Sequence, residues 1–297
     1  IRGAFSAVYE PQRRHVGVFA KGADGYLRYL YFYAGRWRVD ARSFRGGGKV
    51  TGAISAVFST KNRHSEVFFR GGDGYLHRFY IVPRRGWQHD SRVFRSAGKV
   101  AGDISSLYAQ QRKHSEVFFR GADGYLRYYF WYGNRWSLDT RTFRRRGHKV
   151  SGSISAIFSA ARRHAEVFFR GADGYVHYFY FSRAWSTSTK SFRRGSKVAG
   201  AVAAVYSPKR RHAEFYYEGV NGKRHYFYAQ RGWKMYTSGE AKKAPPTARK
   251  SNNGGKAKTS VGMAAIQSIL DKSLYKRVPI LKKILKFHQP TLKISGQ

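Results

Sequence analysis

Residues 64–75 read HSEVFFRGGDGY, and this stretch decides the fold. Variants of it recur along the chain, marked by histidines that lie 49, 50, 50 and 48 residues apart: His15, His64, His114, His164 and His212. A tryptophan follows in each copy (Trp37, Trp87, Trp136, Trp185 and Trp233), and a glycine opens each copy (Gly3, Gly52, Gly102, Gly152 and Gly200). A fixed period of this length is typical of repeat architectures, in which each copy is one structural unit.

One unit, residues 52–101, contains four short segments of strand-like sequence. Segments 53–58 and 65–70 come first, and both contain β-branched and aromatic residues. The turn that follows ends in Asp73-Gly74, a pair that favours a hairpin because glycine tolerates a positive φ. Segments 75–81 and 87–94 complete the unit. Four antiparallel strands per unit, repeated around an axis, predict the blade of a β-propeller.

Five such units predict an all-β fold, a five-bladed β-propeller over residues 1–240 with blades at about 1–50, 51–100, 101–150, 151–198 and 199–240. The first strands carry small residues where blades must converge on the axis: Ser6, Ala7, Ser55, Ala56, Ser105, Ser106, Ser155, Ala156, Ala203 and Ala204. We expect a closed ring of five, and a larger ring made by oligomerisation is the alternative. The copies are not identical, since Gly17 stands where the other four have glutamate.

The composition indicates a folded, strongly basic protein. The 297 residues carry a formal net charge of +41 and include 17% aromatics, so we expect a buried core and a polyanionic partner. The absence of cysteine excludes disulfides, a thiol nucleophile and a cysteine-based zinc site. No apolar run is long enough for a membrane-spanning helix, and no signal peptide is visible.

The last part of the chain has a different composition. Residues 241–297 contain 13 basic residues against the single acid Asp271. We expect a flexible Lys/Pro/Gly linker over 241–260 and a basic amphipathic tail with short helices over 261–297. The Lys-rich segment is suited to nucleic acid, and residues 261–288 to an anionic membrane, a partner protein or the propeller itself.

The repeat core EVFFRGGDGYL at residues 66–76 resembles the acidic-V-F-x-R-G-x-D-G-x-L repeat of the Photorhabdus-type propeller lectins. It resembles the fungal fucose-binding lectins more distantly. The resemblance covers about 240 residues and implies sugar pockets between neighbouring blades. The fungal pattern has Arg on the second strand and Glu on the third. Here the Arg position holds Glu66, Glu116 and Glu166, and the Glu position holds Arg78, Tyr128 and Tyr178.

Three rows of repeated side chains are candidates for ligand binding between blades. The first is a row of carboxylates, which either accept sugar hydroxyls or pair with nearby arginines: Glu66, Glu116, Glu166 and Glu214. The second is the tryptophan row, Trp37, Trp87, Trp136, Trp185 and Trp233, which either stacks on a ligand or packs between blades. The third lies four residues after the hairpin Asp or Asn: Arg28, His77, Arg127, His177 and His225.

Two further basic rows belong to the fourth-strand region and predict a polyanion-binding rim: Arg42, Arg92, Arg141 and Lys190, then Arg45, Arg95, Arg144 and Arg193. The alternative is that they block pairing between exposed strand edges. The marker histidines occur once per blade, too far apart to share a metal, so we expect neither a metal nor a cofactor. Because nearly every notable residue occurs four or five times, no single asymmetric catalytic site is indicated and we expect no enzyme.

Two functions remain open on the sequence. One is a non-enzymatic, multivalent lectin-like protein that binds glycans, preferably anionic ones, and this function implies a secreted or cell-surface location. The other is a structural or nucleic-acid-associated polyanion-binding protein within a ribosome-like, virion or matrix assembly, which implies a location in that assembly.

Overall fold

In the part of the chain that the structure describes, twenty strands form five antiparallel sheets of four, and each sheet corresponds to one repeat. Within a sheet the strands lie side by side in chain order, so the prediction of five four-stranded blades is confirmed. The computed structural model describes residues 3–11, 14–145, 148–188 and 192–238. The predictions for the linker 241–260, the tail 261–297 and the rim residue Lys190 concern residues outside these ranges.

The blades have the following strand boundaries. Blade 1 contains β1 (Phe5–Glu10), β2 (His15–Lys21), β3 (Leu27–Tyr33) and β4 (Arg36–Asp40). Blade 2 contains β5 (Val50–Ser59), β6 (His64–Gly71), β7 (Leu76–Val82) and β8 (Gly86–Asp90). Blade 3 contains β9 (Val100–Ala109), β10 (His114–Gly121), β11 (Leu126–Tyr132) and β12 (Arg135–Asp139). Blade 4 contains β13 (Val150–Ser159), β14 (His164–Gly171), β15 (Val176–Phe181) and β16 (Trp185–Thr187). Blade 5 contains β17 (Val198–Ser207), β18 (His212–Gly219), β19 (Arg224–Ala229) and β20 (Trp233–Thr237). Short helical turns follow three fourth strands, at Arg45–Gly47, Arg92–Ala97 and α1 (Arg141–Arg145).

The Asp-Gly hairpins join the second and third strands as predicted. Gly74 has φ +83°, a conformation that a side chain would strain. Asp73 accepts a hydrogen bond from the Tyr75 amide (3.1 Å), which fixes the turn. The Gly74 carbonyl then accepts a hydrogen bond from the Val100 amide of the next blade (2.9 Å). The hairpins of blades 1, 3 and 4 make the same bond, so each of these four hairpins also ties its blade to the start of the following one.

Four hydrophobic cores fill the spaces between successive blades, rather than one core at the centre. Between blades 1 and 2, for example, Phe19 and Phe44 pack with Phe69 and Phe79. These positions recur because successive residues of a strand point to opposite faces of the sheet, and both faces of a middle blade are buried.

Serines on the inner strands bridge neighbouring blades. The Ser6 hydroxyl of blade 1 accepts a hydrogen bond from the Ala56 amide of blade 2 (2.9 Å), and Ser55 accepts one from the Ser106 amide of blade 3 (2.8 Å). The same bond recurs from Ala156 to Ser105 and from Ala204 to Ser155. The small inner residues therefore allow close approach and also provide hydrogen bonds.

The fifth junction, between blades 5 and 1, lacks these contacts. Strands β1 and β17 do not make the close approach that joins the other inner strands. No hydrogen bond or ring contact within the described ranges connects the two blades, and Ala203 offers no hydroxyl in the position of Ser6. The five blades are confirmed, but no hydrogen bond or ring contact that would close the ring is found between the described residues.

No helix in the described part of the chain is long and apolar enough to span a membrane.

Candidate functional site

The four glutamates of the row are buried. Glu66 accepts hydrogen bonds from Arg78 Nε (2.8 Å) and, across the junction, from the Ser115 hydroxyl (2.7 Å). His64 Nε2 lies 3.2 Å from the same carboxylate. Burial alone would raise the pKa of Glu66, but Arg78, His64 and Ser115 outweigh it and lower the pKa to about 2. The carboxylate is therefore ionised and held by the protein's own donors.

The arginine that pairs with each buried glutamate comes from one of two positions in the blade. In blade 3, Arg112 on the turn before β10 pairs with Glu116. Blade 2 has Asn62 at the matching turn position, and Arg78 on the third strand takes over the role for Glu66. Blades 4 and 5 follow blade 3, with the pairs Arg162–Glu166 (4.0 Å) and Arg210–Glu214 (3.4 Å). These pairs favour a structural role for the glutamate row.

Blade 1 replaces the missing glutamate with one from a neighbouring strand. Glu10, at the end of β1, accepts hydrogen bonds from the Tyr29 hydroxyl (2.9 Å) and from Ser65 of blade 2 (2.6 Å). His15 Nε2 lies 3.4 Å from its other oxygen. A Cβ at Gly17 would lie 2.5 Å from the Tyr29 ring, so the glycine is what leaves room for that ring.

Glu10 was missed at the sequence level. The available signal was its position, because the other first strands end with small residues there: Ser59, Ala109, Ser159 and Ser207.

Four of the five tryptophans pack against the preceding blade. The Trp87 ring centroid lies 5.5 Å from that of Phe19 and 5.0 Å from that of Phe44. Trp136, Trp185 and Trp233 make equivalent contacts with blades 2, 3 and 4. Trp37 instead contacts Phe32 of its own blade (5.8 Å), and no ring in the described part of blade 5 meets it.

The third predicted row lies at the hairpins, apart from the glutamates. His77 Nε2 is 2.9 Å from Asp73, and Arg127 is 2.8 Å from Asp123. Arg28, His177 and His225 likewise contact the Asp or Asn of their own hairpins. Partial burial alone would raise the pKa of Asp73, but hydrogen bonds from the Tyr75 amide and His77 outweigh it and lower the pKa. The glutamate row and this row therefore do not form one pocket.

The described rim residues are all exposed, and one rim row stacks on hairpin tyrosines. Arg42, Arg92 and Arg141 lie at the fourth-strand ends. Arg95 lies over the Tyr75 ring (4.9 Å) and 3.3 Å from Asp73. Arg45, Arg144 and Arg193 stack similarly on Tyr26, Tyr125 and Tyr175. These cations lie at the hairpin end of the blades.

A cavity of about 440 Å³ opens between blades 1 and 2. Its walls carry the following residues: His15, Tyr29, Tyr31, Tyr33, Arg38, Asp40, Ser43, Ile81, Gly86 and Trp87. Tyr31 stacks on Tyr29 (5.1 Å between ring centroids), and Arg38 lies over the Tyr33 ring (5.0 Å). Asp40 accepts hydrogen bonds from the Ser43 hydroxyl and amide (2.7 and 3.1 Å).

Arg38 makes no ion pair with any residue of the described ranges, so the cavity contains an available cation. Of the three predicted rows, only Trp87 reaches this cavity. Tyr33 and Arg38 were not singled out from the sequence, because their positions change from copy to copy. Tyr31 was also missed, although the matching position is aromatic in every copy: Tyr80, Phe130, Tyr180 and Tyr228. No group of three or more potential metal ligands occurs among the described residues.

Comparisons by sequence identify no relative: no protein-family model matches the chain, and no curated protein matches it. Solved structures do resemble it. An arginine-to-alanine mutant of AofleA from Arthrobotrys oligospora has a TM-score of 0.60 at 13% identity, with 79% of this chain and 72% of that chain covered. A fungal lectin of Aleuria aurantia, described as a six-bladed β-propeller with a novel fucose recognition mode, has a TM-score of 0.58 at 14% identity, with 78% and 77% covered. The BP39L lectin of Burkholderia pseudomallei has a TM-score of 0.57 at 15% identity, with 78% and 68% covered.

The fungal lectins, the more distant resemblance in sequence, are thus among the structures that this chain resembles, and the Photorhabdus-type resemblance stays a prediction. At these identities the similarity shows the fold, and the chain has the β-propeller fold of these lectins.

Proposed function

We propose that the chain is a non-enzymatic, lectin-like protein that binds a glycan in the cavity between blades 1 and 2, with a preference for anionic glycans. The observation that carries the proposal is the wall of that cavity, where Tyr31, Tyr33 and Trp87 surround Arg38 and Asp40. Aromatic faces pack against the apolar C–H face of a sugar ring, and polar groups at the edge fix its hydroxyls. The lectin propellers that share the fold support the same function.

The preference for an anionic glycan rests on the charges in the cavity. Asp40 already accepts three hydrogen bonds from its own turn, whereas Arg38 has no carboxylate partner in the described part of the chain. A guanidinium offers paired donors that match a carboxylate, sulfate or phosphate group. The overall charge of +41 attracts such ligands in addition.

Three other junctions differ from this one, because the arginine that stacks on rings there also pairs with a buried glutamate, whereas Arg38 has no carboxylate partner among the described residues. Arg78 lies 4.0 Å from the Tyr80 ring and 5.1 Å from the Trp136 ring. Arg112 lies over Phe181 (4.1 Å), and Arg162 over Trp233 (6.0 Å). We therefore propose one principal site. The multivalency implied by the resemblance, with up to five equivalent sites, stays a prediction.

A glycan array at about 0.5 M salt tests the proposal, because such salt screens plain electrostatic attraction. We expect sugar-selective binding that the Tyr31→Ala variant abolishes. We expect the Arg38→Gln variant to lose acidic glycans while it retains neutral ones. Arg36→Gln, which removes one exposed charge at the first residue of β4, is the control and should bind as the unmodified protein does. No sugar-selective signal at this salt concentration overturns the proposal.

One observation favours the second candidate, a polyanion-binding platform: Arg42, Arg92 and Arg141 are exposed. For that function we expect affinity for DNA or RNA to fall steeply with salt, with a shallower slope after residues 241–297 are removed. An unchanged slope after that deletion would count against it.

A further inference from the structure

A second cavity, of about 310 Å³, lies at the opposite end of the blades from the glycan cavity. It lies between the hairpin of blade 3 and the start of blade 4, and we call it the hairpin-end pocket. Its walls carry the following residues: Arg120, Ala122, Asp123, Gly124, Lys149, Val150, Ser151 and Ala172. Three of these side chains are charged, and the two cations outnumber the single carboxylate.

Arg120 is held in place without any acceptor for its charge. Its aliphatic stem lies against Gly102, where an added Cβ would be 3.2 Å from Arg120 Cδ. Its Nε is buried with no hydrogen-bond partner, and its terminal amino groups make no hydrogen bond or ion pair with any described residue. A positioned guanidinium with unused donors is the group that most favours an oxyanion, because its paired N–H groups match two oxygens.

The neighbouring charges leave the pocket electropositive. Asp123 is paired with Arg127 (2.8 Å) and accepts the Tyr125 amide (3.2 Å), so its carboxylate is already matched. Lys149 has no ion pair within the described ranges, and its ammonium lies 5.7 Å from the Tyr125 ring.

The same arrangement of an arginine over the opening glycine recurs in the two flanking blades. Arg70 and Arg170 also lie against the opening glycines Gly52 and Gly152, and their Nε atoms are likewise buried without partners. Blades 1 and 5 carry Lys21 and Glu218 at this position, and an added Cβ at their opening glycines meets nothing within 4 Å. An added Cβ would therefore crowd the arginine in blades 2, 3 and 4, where the glycine leaves room for its stem.

We propose that the hairpin-end pocket binds an oxyanion group, a sulfate or phosphate, through Arg120 and Lys149, and that on a glycan ligand this group is a sulfate ester. The site is separate from the cavity between blades 1 and 2 and stands on different residues. Because Arg38 of that cavity also suits a sulfate, every probe is measured in the Arg38→Gln background, which keeps the tests of the two sites apart.

Calorimetric titration of the full chain tests the proposal with three probes: inorganic sulfate, a sulfated disaccharide and the same disaccharide without sulfate. We expect both sulfate-bearing probes to bind and the unsulfated one to bind at least tenfold more weakly. Arg120→Gln should weaken the sulfated probe at least tenfold, the loss expected for one charge-assisted contact. Arg36→Gln removes the same charge at the opposite end of blade 1 and should change the affinity less than twofold.

Equal losses in the two variants would show general charge attraction and overturn the site, as would equal binding of the unsulfated disaccharide. If Arg120→Gln unfolds, the exposed Lys149→Gln replaces it with the same expectation. Tighter binding of inorganic sulfate than of the sulfated disaccharide supports the oxyanion pocket and refutes its use for a glycan. A short RNA that displaces the sulfated probe at equal phosphate concentration would likewise refute the glycan assignment.

Discussion

Moving the arginine that pairs with Glu66 from the third strand to the turn before β6 tests how the buried carboxylates are held. Arg78→Tyr gives blade 2 the tyrosine that blade 3 has, but leaves Glu66 with only His64 and Ser115 as partners. Both members of the pair are nearly inaccessible, at 1% and 5% exposure. Removing one partner of a buried ion pair costs about 3–5 kcal/mol, and we expect about 3 kcal/mol because two donors remain. For a domain of this size that loss lowers the Tm by roughly 6–12 °C.

The second substitution, Asn62→Arg, supplies the missing cation from the turn, as Arg112 does for Glu116 in blade 3. We expect the double variant to recover more than half of the lost stability. Asn62→Arg alone, at an exposed position, should change the free energy of unfolding by no more than about 0.5 kcal/mol.

Urea unfolding of the full chain, followed by circular dichroism, measures all four proteins. A loss below about 1 kcal/mol in Arg78→Tyr would show that the carboxylate does not depend on this pair. A double variant no more stable than Arg78→Tyr would show that the two cation sources are not equivalent.

Three further outcomes follow from the same structure. Trp87→Ala should cost about 3 kcal/mol because its indole packs on blade 1, whereas Trp37→Ala should cost less than about 1 kcal/mol; equal losses in thermal unfolding would contradict the packing account. The pKa of Glu66 is lowered from 4.5 to about 2, so the stability that its ionised form contributes is complete above pH 4.5 and is lost as the pH falls toward 2. Glu66→Gln should therefore flatten the dependence of the urea midpoint on pH across that range, and an unchanged slope would refute this. Gly102→Ala should weaken sulfate binding in calorimetry by displacing the arginine above it, while Gly200→Ala, where an added Cβ meets nothing within 4 Å, should leave it unchanged.

The blades were predictable from the sequence because their determinants are local. The Asp73-Gly74 turn and the strand segments on each side of it lie within one repeat, and the same pattern occurs in variant form five times along the chain. The packing interpretation also agrees with the structure for four of the five repeated tryptophans, since periodic aromatics in a propeller face neighbouring blades.

The sites were less predictable because their partners lie in different repeats or replace one another across strands. Ser115 reaches Glu66 over 49 residues of sequence, and no local pattern indicates that contact. Glu10 replaces the glutamate that is absent at Gly17, but it lies on a different strand. A search for residues that repeat at the same position in every copy therefore does not find it. The proposed glycan cavity likewise uses Tyr33 and Arg38, whose positions differ between the copies. A search for what the copies share favours the residues that build the blade.

A crystal structure of the full chain with a glycan selected on the array would locate the bound sugar. We expect one sugar ring in the cavity between blades 1 and 2, against Tyr31 and Trp87, with an acidic group within hydrogen-bonding distance of Arg38. A sugar bound at another blade junction, with this cavity empty, would contradict it.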